Sequence, residues 1–168
     1  MTFANQAIVA IILVTATLCL QCVGMAVLIH WAKVSIKRGL NALSAWRTSL
    51  LMIQFSTALI ILHVAEILLW AAAYRWRCLS SWESSFYFSA TSYSTVGYGD
   101  VVLPRIWRLL GPVESVTGVL MSGISVSVLF AILVQLVGSE DNGSSADKRD
   151  AASLENQPFE AVSINEIG

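Results

Sequence analysis

The chain has 168 residues, of which 56% are hydrophobic and only 12% are charged, and its formal net charge is −1 at pH 7. Soluble globular domains carry about 25% charged residues, so this composition excludes an ordinary soluble domain and indicates a membrane protein. The near-neutral charge also gives no sign of a nucleic-acid partner.

Three segments are apolar enough to cross a membrane, because a hydrocarbon core of about 30 Å needs roughly 20 apolar residues in a helix. The first lies within residues 1–32, which contain no Asp, Glu, Lys or Arg. It lacks the basic start of a signal peptide, and its apolar run is long for one, so we expect a retained helix. With the basic segment that follows, it forms a predicted N-terminal unit, residues 1–47.

The predicted first loop, residues 33–47, is basic, which is typical of a cytoplasmic loop. The far side of the membrane would carry as many bases if the chain has three spans, so charge alone leaves the orientation open. The bases of the loop are Lys33, Lys37, Arg38 and Arg47, and those of the far side are Arg75, Arg77, Arg105 and Arg108.

The second span is predicted at residues 48–74, and its only ionisable side chains before the last turn are His63 and Glu66. Burying a charge in lipid costs a few kcal/mol even on the most permissive scale, so we expect both to face protein. With Trp70 and Tyr74 they form one helical stripe. A membrane metalloenzyme is an alternative, but His63 and Glu66 are too few ligands for a metal site.

A short re-entrant helix is predicted at residues 81–94, with Ser80 as N-cap and Glu83 completing a capping box. It is too short to span the bilayer, so it enters the membrane and stops. Non-helical backbone persists at that depth only where it is buried in protein or lines a watery cavity. We therefore expect the next residues, Thr95–Gly99, to line an aqueous space.

Residues 95–100 have the sequence TVGYGD, in which Gly97 and Gly99 alternate with Val96 and Tyr98. A strand that turns successive carbonyl groups to one side must alternate ordinary and left-handed backbone angles, and glycine adopts the left-handed angles at little cost. A row of such carbonyl oxygens around a symmetry axis can replace the water shell of a monovalent cation. The Thr95 hydroxyl adds one more oxygen.

The third span is predicted at residues 111–138, with Pro112 suited to the first turn of its helix. Its small polar residues favour either a water-filled cavity or close helix packing. The remaining residues, 139–168, hold seven acidic and two basic residues and little apolar surface. We predict a disordered acidic cytoplasmic tail there.

The segment YFSATSYSTVGYGDVVLPRIWRLLGPVE, which contains TVGYGD, resembles the potassium-channel signature. The resemblance covers about residues 80–137 and is to the two-helix pore module of small bacterial potassium channels, here with one extra helix in front. It implies an all-α membrane protein with three transmembrane helices, a re-entrant pore helix and a selectivity-filter loop, assembling as a tetrameric pore. The implied pore domain is residues 48–138, with the filter at 95–100.

The resemblance also assigns roles to individual residues. K⁺, the permeant ion, would bind at Thr95, Val96, Gly97 and Tyr98, with Gly99 completing the filter and no cofactor required. Asp100 would attract cations at the outer mouth and brace the filter. The family places a hinge glycine at Gly118, and Gly123 follows one turn later; either is a candidate gating hinge or a packing notch.

The chain departs from the best-known family pattern behind the filter. Thr91 replaces a glutamate that pairs with the filter aspartate, and Tyr87 replaces a tryptophan. The brace must therefore be built differently. Either His63 and Glu66 form a polar pair that pins the outer helix to the pore helix, or Glu66 supplies the carboxyl group missing at Thr91, with His63 making it sensitive to pH near neutrality.

The implied partners are membrane lipid and three further copies of the chain, with no small-molecule substrate and no nucleic acid. The implied location is the cell membrane, multi-pass, with the N-terminus outside and the C-terminus cytoplasmic. The alternative function is a non-conducting or less selective regulatory subunit of a cation channel. No span carries the regularly spaced arginines of a voltage sensor.

Overall fold

The computed structural model describes residues 3–39 and 45–155, and these residues are helical apart from the connections, with no strand among them. A one-turn 3₁₀ helix, Arg105–Trp107, precedes the last helix. The four α-helices are α1 (Phe3–Gly39), α2 (Ala45–Arg77), α3 (Trp82–Tyr93) and α4 (Leu110–Glu155). The predicted all-α membrane fold is confirmed.

Three segments are long and apolar enough to cross a membrane: Ala4–Ser35, Ser49–Arg77 and Arg105–Gln135. The most apolar 18-residue windows of these segments have mean hydropathies of 2.4, 1.9 and 2.2. The remaining helix, α3, has 12 residues. At 1.5 Å per residue it extends only about 18 Å, too short for the hydrocarbon core. The described part of the chain therefore has three candidate spans and one short helix between the second and the third.

Both ends of α3 differ slightly from the prediction of 81–94. Ser81, and not Ser80, is the N-cap, and its side chain accepts a hydrogen bond of 3.1 Å from the backbone N–H of Ser84. Two consecutive serines precede the helix, and the sequence alone does not distinguish which one takes the cap conformation. Ser94 caps the other end, where its N–H donates to the Ala90 carbonyl.

The predicted basic loop is partly helical. α1 continues to Gly39, so Lys33, Lys37 and Arg38 lie on its last two turns, and Arg47 lies in the first turn of α2. Adding residues to an existing helix avoids the cost of nucleation, and basic side chains are favourable near a helix C-terminus. Residues 40–44 lie outside the described part of the chain.

The predicted start of the disordered tail at residue 139 is wrong, because α4 continues to Glu155. The prediction rested on the scarcity of apolar residues, which limits packing but does not prevent a helix already formed by residues 110–138 from propagating. Several alanines and charged residues in this segment are good helix formers. The remainder of the predicted tail, residues 156–168, lies outside the described residues.

Two apolar clusters hold the helices together. One joins α1, α2 and α4 around Phe55, Leu59 and Ile132. The second joins α1 and α2 to the connection that precedes α4, and its members are Leu13, Trp70, Tyr74, Leu103, Trp107 and Leu110. The second cluster anchors the connection that follows residues 95–100, and it therefore helps to position those residues.

Buried polar contacts attach α1 to the other two spans. The Gln21 side-chain amide donates to the Met121 carbonyl at 3.2 Å and to Ser125 Oγ at 2.9 Å, both on α4. The Trp70 indole N–H on α2 donates to Thr17 Oγ1 at 2.9 Å. Hydrogen bonds between membrane helices contribute about 0.6 kcal/mol each on average. α1 is therefore an integral part of the helix bundle.

Candidate functional site

The backbone after α3 alternates between two conformations. Thr95, Gly97 and Gly99 have φ angles of 63°, 51° and 80°, and no other described residue has positive φ. The two left-handed glycines confirm the conformational prediction. Left-handed Thr95 was missed, because a β-branched residue is an unusual occupant of this conformation.

Two hydrogen bonds hold the start of the extended segment 95–99, a single strand that belongs to no β-sheet, onto α3. The Thr95 N–H donates to the Ser92 carbonyl at 2.9 Å, and the Gly97 N–H donates to the Thr91 carbonyl at 3.0 Å. They close the chain back onto the last turn of α3 and stabilise the left-handed conformation of Thr95, which otherwise costs about 1–2 kcal/mol. The position of the strand is therefore set by the position of α3.

The strand lies on the surface of the single chain. All residues from Thr95 to Gly99 are exposed, with Val96 at 53% and Tyr98 at 73%. A Cβ atom added at Gly97 or Gly99 would meet nothing within 4 Å. Space within the chain therefore does not require glycine at these positions, whereas the backbone conformation does.

A tyrosine braces the C-terminal end of the strand. The Tyr87 hydroxyl on α3 donates to Asp100 Oδ2 at 2.9 Å, and the Tyr87 ring stacks on Tyr98 with 6.5 Å between centroids. The hydrogen bond to Asp100 is the main cause that raises the pKa of Tyr87, with smaller contributions from desolvation and nearby negative charge. The phenol is therefore protonated and able to donate throughout the physiological pH range.

Thr91 takes no part in this brace through its side chain. Its hydroxyl lies 2.9 Å from the Tyr87 carbonyl and 3.0 Å from the Phe88 carbonyl, both within α3. Thr91 supports the strand instead through its own carbonyl, which accepts from the Gly97 N–H. Within the described residues, the side chain that donates a hydrogen bond to Asp100 is therefore that of Tyr87.

Tyr87→Phe is expected to speed amide hydrogen exchange at residues 98–100 several-fold, because Asp100 loses its donor while the ring stacking remains. Hydrogen–deuterium exchange of the protein in lipid nanodiscs measures the rates. Thr91→Val is the matched control, since it removes a hydroxyl that bonds only within α3. Equal exchange rates for the two variants would contradict the brace.

The predicted inward stripe on α2 is confirmed. Glu66, Trp70 and Tyr74 are fully buried, and His63 is partly buried. The Tyr93 hydroxyl on α3 donates to Glu66 Oε2 and lies 2.9 Å from His63 Nδ1, which is 3.3 Å from the same Glu66 oxygen. The pair therefore pins α2 to the last residue of α3. The predicted sensitivity of this pair to pH stays a prediction.

A second buried carboxyl group was missed. Glu114 on α4 is fully buried, and its carboxyl oxygens accept from the Tyr74 hydroxyl at 2.7 Å and the Ser89 hydroxyl at 2.5 Å. The sequence carried a usable signal, because a lone ionisable residue within a membrane span marks a functional position by default. Its partners are 40 and 25 positions away, and the sequence does not indicate them.

The first turns of α4 also contact the end of α3. The Ser115 hydroxyl donates to the Ser92 carbonyl at 2.7 Å. A Cβ atom at Gly118 would lie 3.0 Å from Tyr93 Cγ and closer still to the Tyr93 carbonyl oxygen, whereas one at Gly123 would meet nothing within 4 Å. Gly118 is therefore a packing notch for α3. A hinge at Gly118 or Gly123 stays a prediction.

The fold and this loop define a multi-pass membrane protein with a short helix and an exposed, left-handed strand between its last two spans. A family model described as "Ion channel" matches residues 49–135, just over half of the chain. The chain belongs to this ion channel family. The match includes most of α2, all of α3, the strand and the first part of α4, and it begins after α1.

No curated protein and no solved structure matches the chain. Within the described residues, no three His, Cys, Asp or Glu side chains are grouped so as to hold a metal ion.

Proposed function

We propose that the chain is a subunit of a potassium-selective channel that conducts K⁺ passively across the membrane. The observation that carries the proposal is the left-handed conformation of every second residue, Thr95, Gly97 and Gly99. Alternation of this kind directs successive carbonyl groups toward one side of a strand. Those carbonyls, with the Thr95 hydroxyl, are the oxygen ligands that would replace the hydration shell of K⁺.

The ion would bind at backbone oxygens of Thr95, Val96, Gly97 and Tyr98, and Gly99 would complete the strand. K⁺ is the transported ion in this proposal, and conduction requires no cofactor. Two features favour a cation at this place. The C-terminal, negative end of the α3 dipole lies just before Thr95, and the Asp100 side chain lies just after Gly99.

The proposed assembly is a homotetramer. One chain supplies one strand, and a closed ring of oxygens needs several. The single chain also leaves a cavity of about 650 Å³ open beside the strand. It is lined by α3, by the residues after the strand and by the start of α4, including Phe88, Leu103 and Pro112. A neighbouring copy placed around a fourfold axis would cover this face.

The proposed orientation places the N-terminus outside and the C-terminus in the cytoplasm. The bases at the end of α1 and the start of α2 then lie on the cytoplasmic side, as the positive-inside rule favours. The strand and Asp100 lie toward the opposite, outer side. Surrounding lipid contacts the exposed apolar residues of the three spans.

Ion flux from liposomes tests the proposal. Purified protein in K⁺-loaded liposomes is expected to release K⁺ far faster than protein-free liposomes do, with a K⁺ ionophore defining complete release. Na⁺-loaded liposomes are expected to release their ion much more slowly. Absence of K⁺ release would favour the alternative of a non-conducting regulatory subunit, and equal release of both ions would favour a less selective cation channel.

A further inference from the structure

Three helices meet at the Glu114 carboxyl group. It belongs to α4, and it accepts hydrogen bonds from Tyr74 on α2 and Ser89 on α3 at 2.7 and 2.5 Å. All three residues are completely buried. The hydrogen-bond donors to this carboxyl group are neutral hydroxyl groups, and no salt bridge reaches it in the described part of the chain.

Ser89 is the point at which this junction holds α3. Its Oγ lies 2.5 Å from Glu114 Oε1 and 2.8 Å from the Ile67 carbonyl of α2. The single hydroxyl hydrogen is shared between these two acceptors, so this side chain holds α3 against both α2 and α4. Ser89 is one helical turn before Tyr93, the last residue of α3, and the strand 95–99 is bonded to that last turn. A shift of α3 at Ser89 would carry the strand with it.

We propose that Glu114 is a positioning residue for ion conduction, acting through Ser89 and α3 on the strand 95–99. The inference rests on the proposed channel function and adds the residue that sets the distance of the strand from the pore axis. In this chain the supporting carboxyl group behind the strand comes from α4. The Glu114 carboxyl group bonds α3 at Ser89, whereas Tyr87, two residues earlier on α3, bonds Asp100.

The geometry assigns this role to hydrogen bonding and not to charge. A glutamine at position 114 has nearly the same shape, and its carbonyl oxygen can accept from Tyr74. Its amide N–H can donate to Ser89 Oγ, whose own hydrogen is then free for the Ile67 carbonyl, 2.8 Å away. Tyr74, Ser89 and the Ile67 carbonyl therefore each keep a hydrogen-bond partner. A leucine at the same position leaves Tyr74 and Ser89 without this partner.

Four variants test the role. Glu114→Leu and Ser89→Ala break the junction, and Glu114→Gln preserves it. Ser85→Ala is the matched control, because Ser85 is also a fully buried serine on α3, one turn earlier. Its hydroxyl donates only to the Ser81 carbonyl at the start of the same helix, at 2.8 Å. Ser89→Ala is the decisive variant if Glu114→Leu fails to fold.

The first measurement is independent of conduction. Hydrogen–deuterium exchange of full-length protein in lipid nanodiscs reports the Thr95 and Gly97 amides, which bond to the last turn of α3. We expect exchange at least tenfold faster in Ser89→Ala than in Ser85→Ala, with Glu114→Gln within about twofold of the parent. The second measurement is the K⁺ to Na⁺ permeability ratio, which should fall in Ser89→Ala and be retained in Glu114→Gln.

Two results would overturn the inference: exchange in Ser89→Ala equal to that in Ser85→Ala, or a loss in Glu114→Gln as large as in Glu114→Leu. The second of these would show that the carboxylate charge is what matters. If the parent protein carries no K⁺, the proposed function fails, and the exchange rates still decide whether Glu114 positions the strand.

Discussion

Replacing Gly97 or Gly99 by L-alanine is expected to abolish K⁺ conduction without abolishing membrane insertion. The φ angles of 51° and 80° are in the left-handed region, where a Cβ atom costs about 1–2 kcal/mol per residue. In the proposed fourfold assembly the cost is about 4–8 kcal/mol, which lowers the population of the conducting backbone by a factor of about a thousand or more. K⁺ release from liposomes measures the effect.

The control variant distinguishes an effect of backbone conformation from an effect of steric crowding by the added methyl group. A Cβ at either glycine meets nothing within 4 Å in the single chain, so the methyl group itself has room there. D-Alanine at position 97, introduced by chemical ligation, adds the same methyl group but favours positive φ. It is expected to restore K⁺ conduction. Normal conduction in the L-alanine variants would show that the left-handed backbone is not needed.

Gly118→Ala is expected to have the second-largest effect, through the packing of α4 on α3. The added Cβ would overlap the Tyr93 carbonyl oxygen and lie 3.0 Å from the Tyr93 ring. Overpacking of this kind costs about 1–3 kcal/mol, and here it displaces the helix that carries the strand. We expect reduced thermal stability in detergent together with reduced K⁺ release.

Gly123→Ala is the matched control for stability. Position 123 lies on the same helix, and a Cβ there meets nothing within 4 Å. Because alanine is the better helix former by about 1 kcal/mol, this variant should be at least as stable as the parent. If Gly118→Ala were equally stable, the close contact between α4 and Tyr93 would be contradicted.

The three spans and the short helix could be predicted from the sequence because length and hydropathy act locally. The two left-handed glycines could also be predicted, because glycine at alternate positions of TVGYGD indicates a backbone that needs left-handed angles there. The inward stripe from His63 to Tyr74 also followed from local periodicity, since ionisable residues avoid lipid.

Other features depend on contacts that the sequence pattern does not contain. Left-handed Thr95 is stabilised by hydrogen bonds to the preceding turn, against its own β-branched preference. The junction at Glu114 joins residues separated by 25 and 40 positions. The end of α4 was misplaced because low apolar content predicts poor packing, whereas helix propagation depends on the helix already present.

The most direct test of the central claim is the zero-current potential of the purified channel between equal concentrations of K⁺ and Na⁺ on opposite sides of a planar bilayer. If the oxygens of residues 95–98 select K⁺, K⁺ leaves its own side faster than Na⁺ enters. The potential at zero current is then strongly negative on the K⁺ side. A zero-current potential of zero would contradict potassium selectivity.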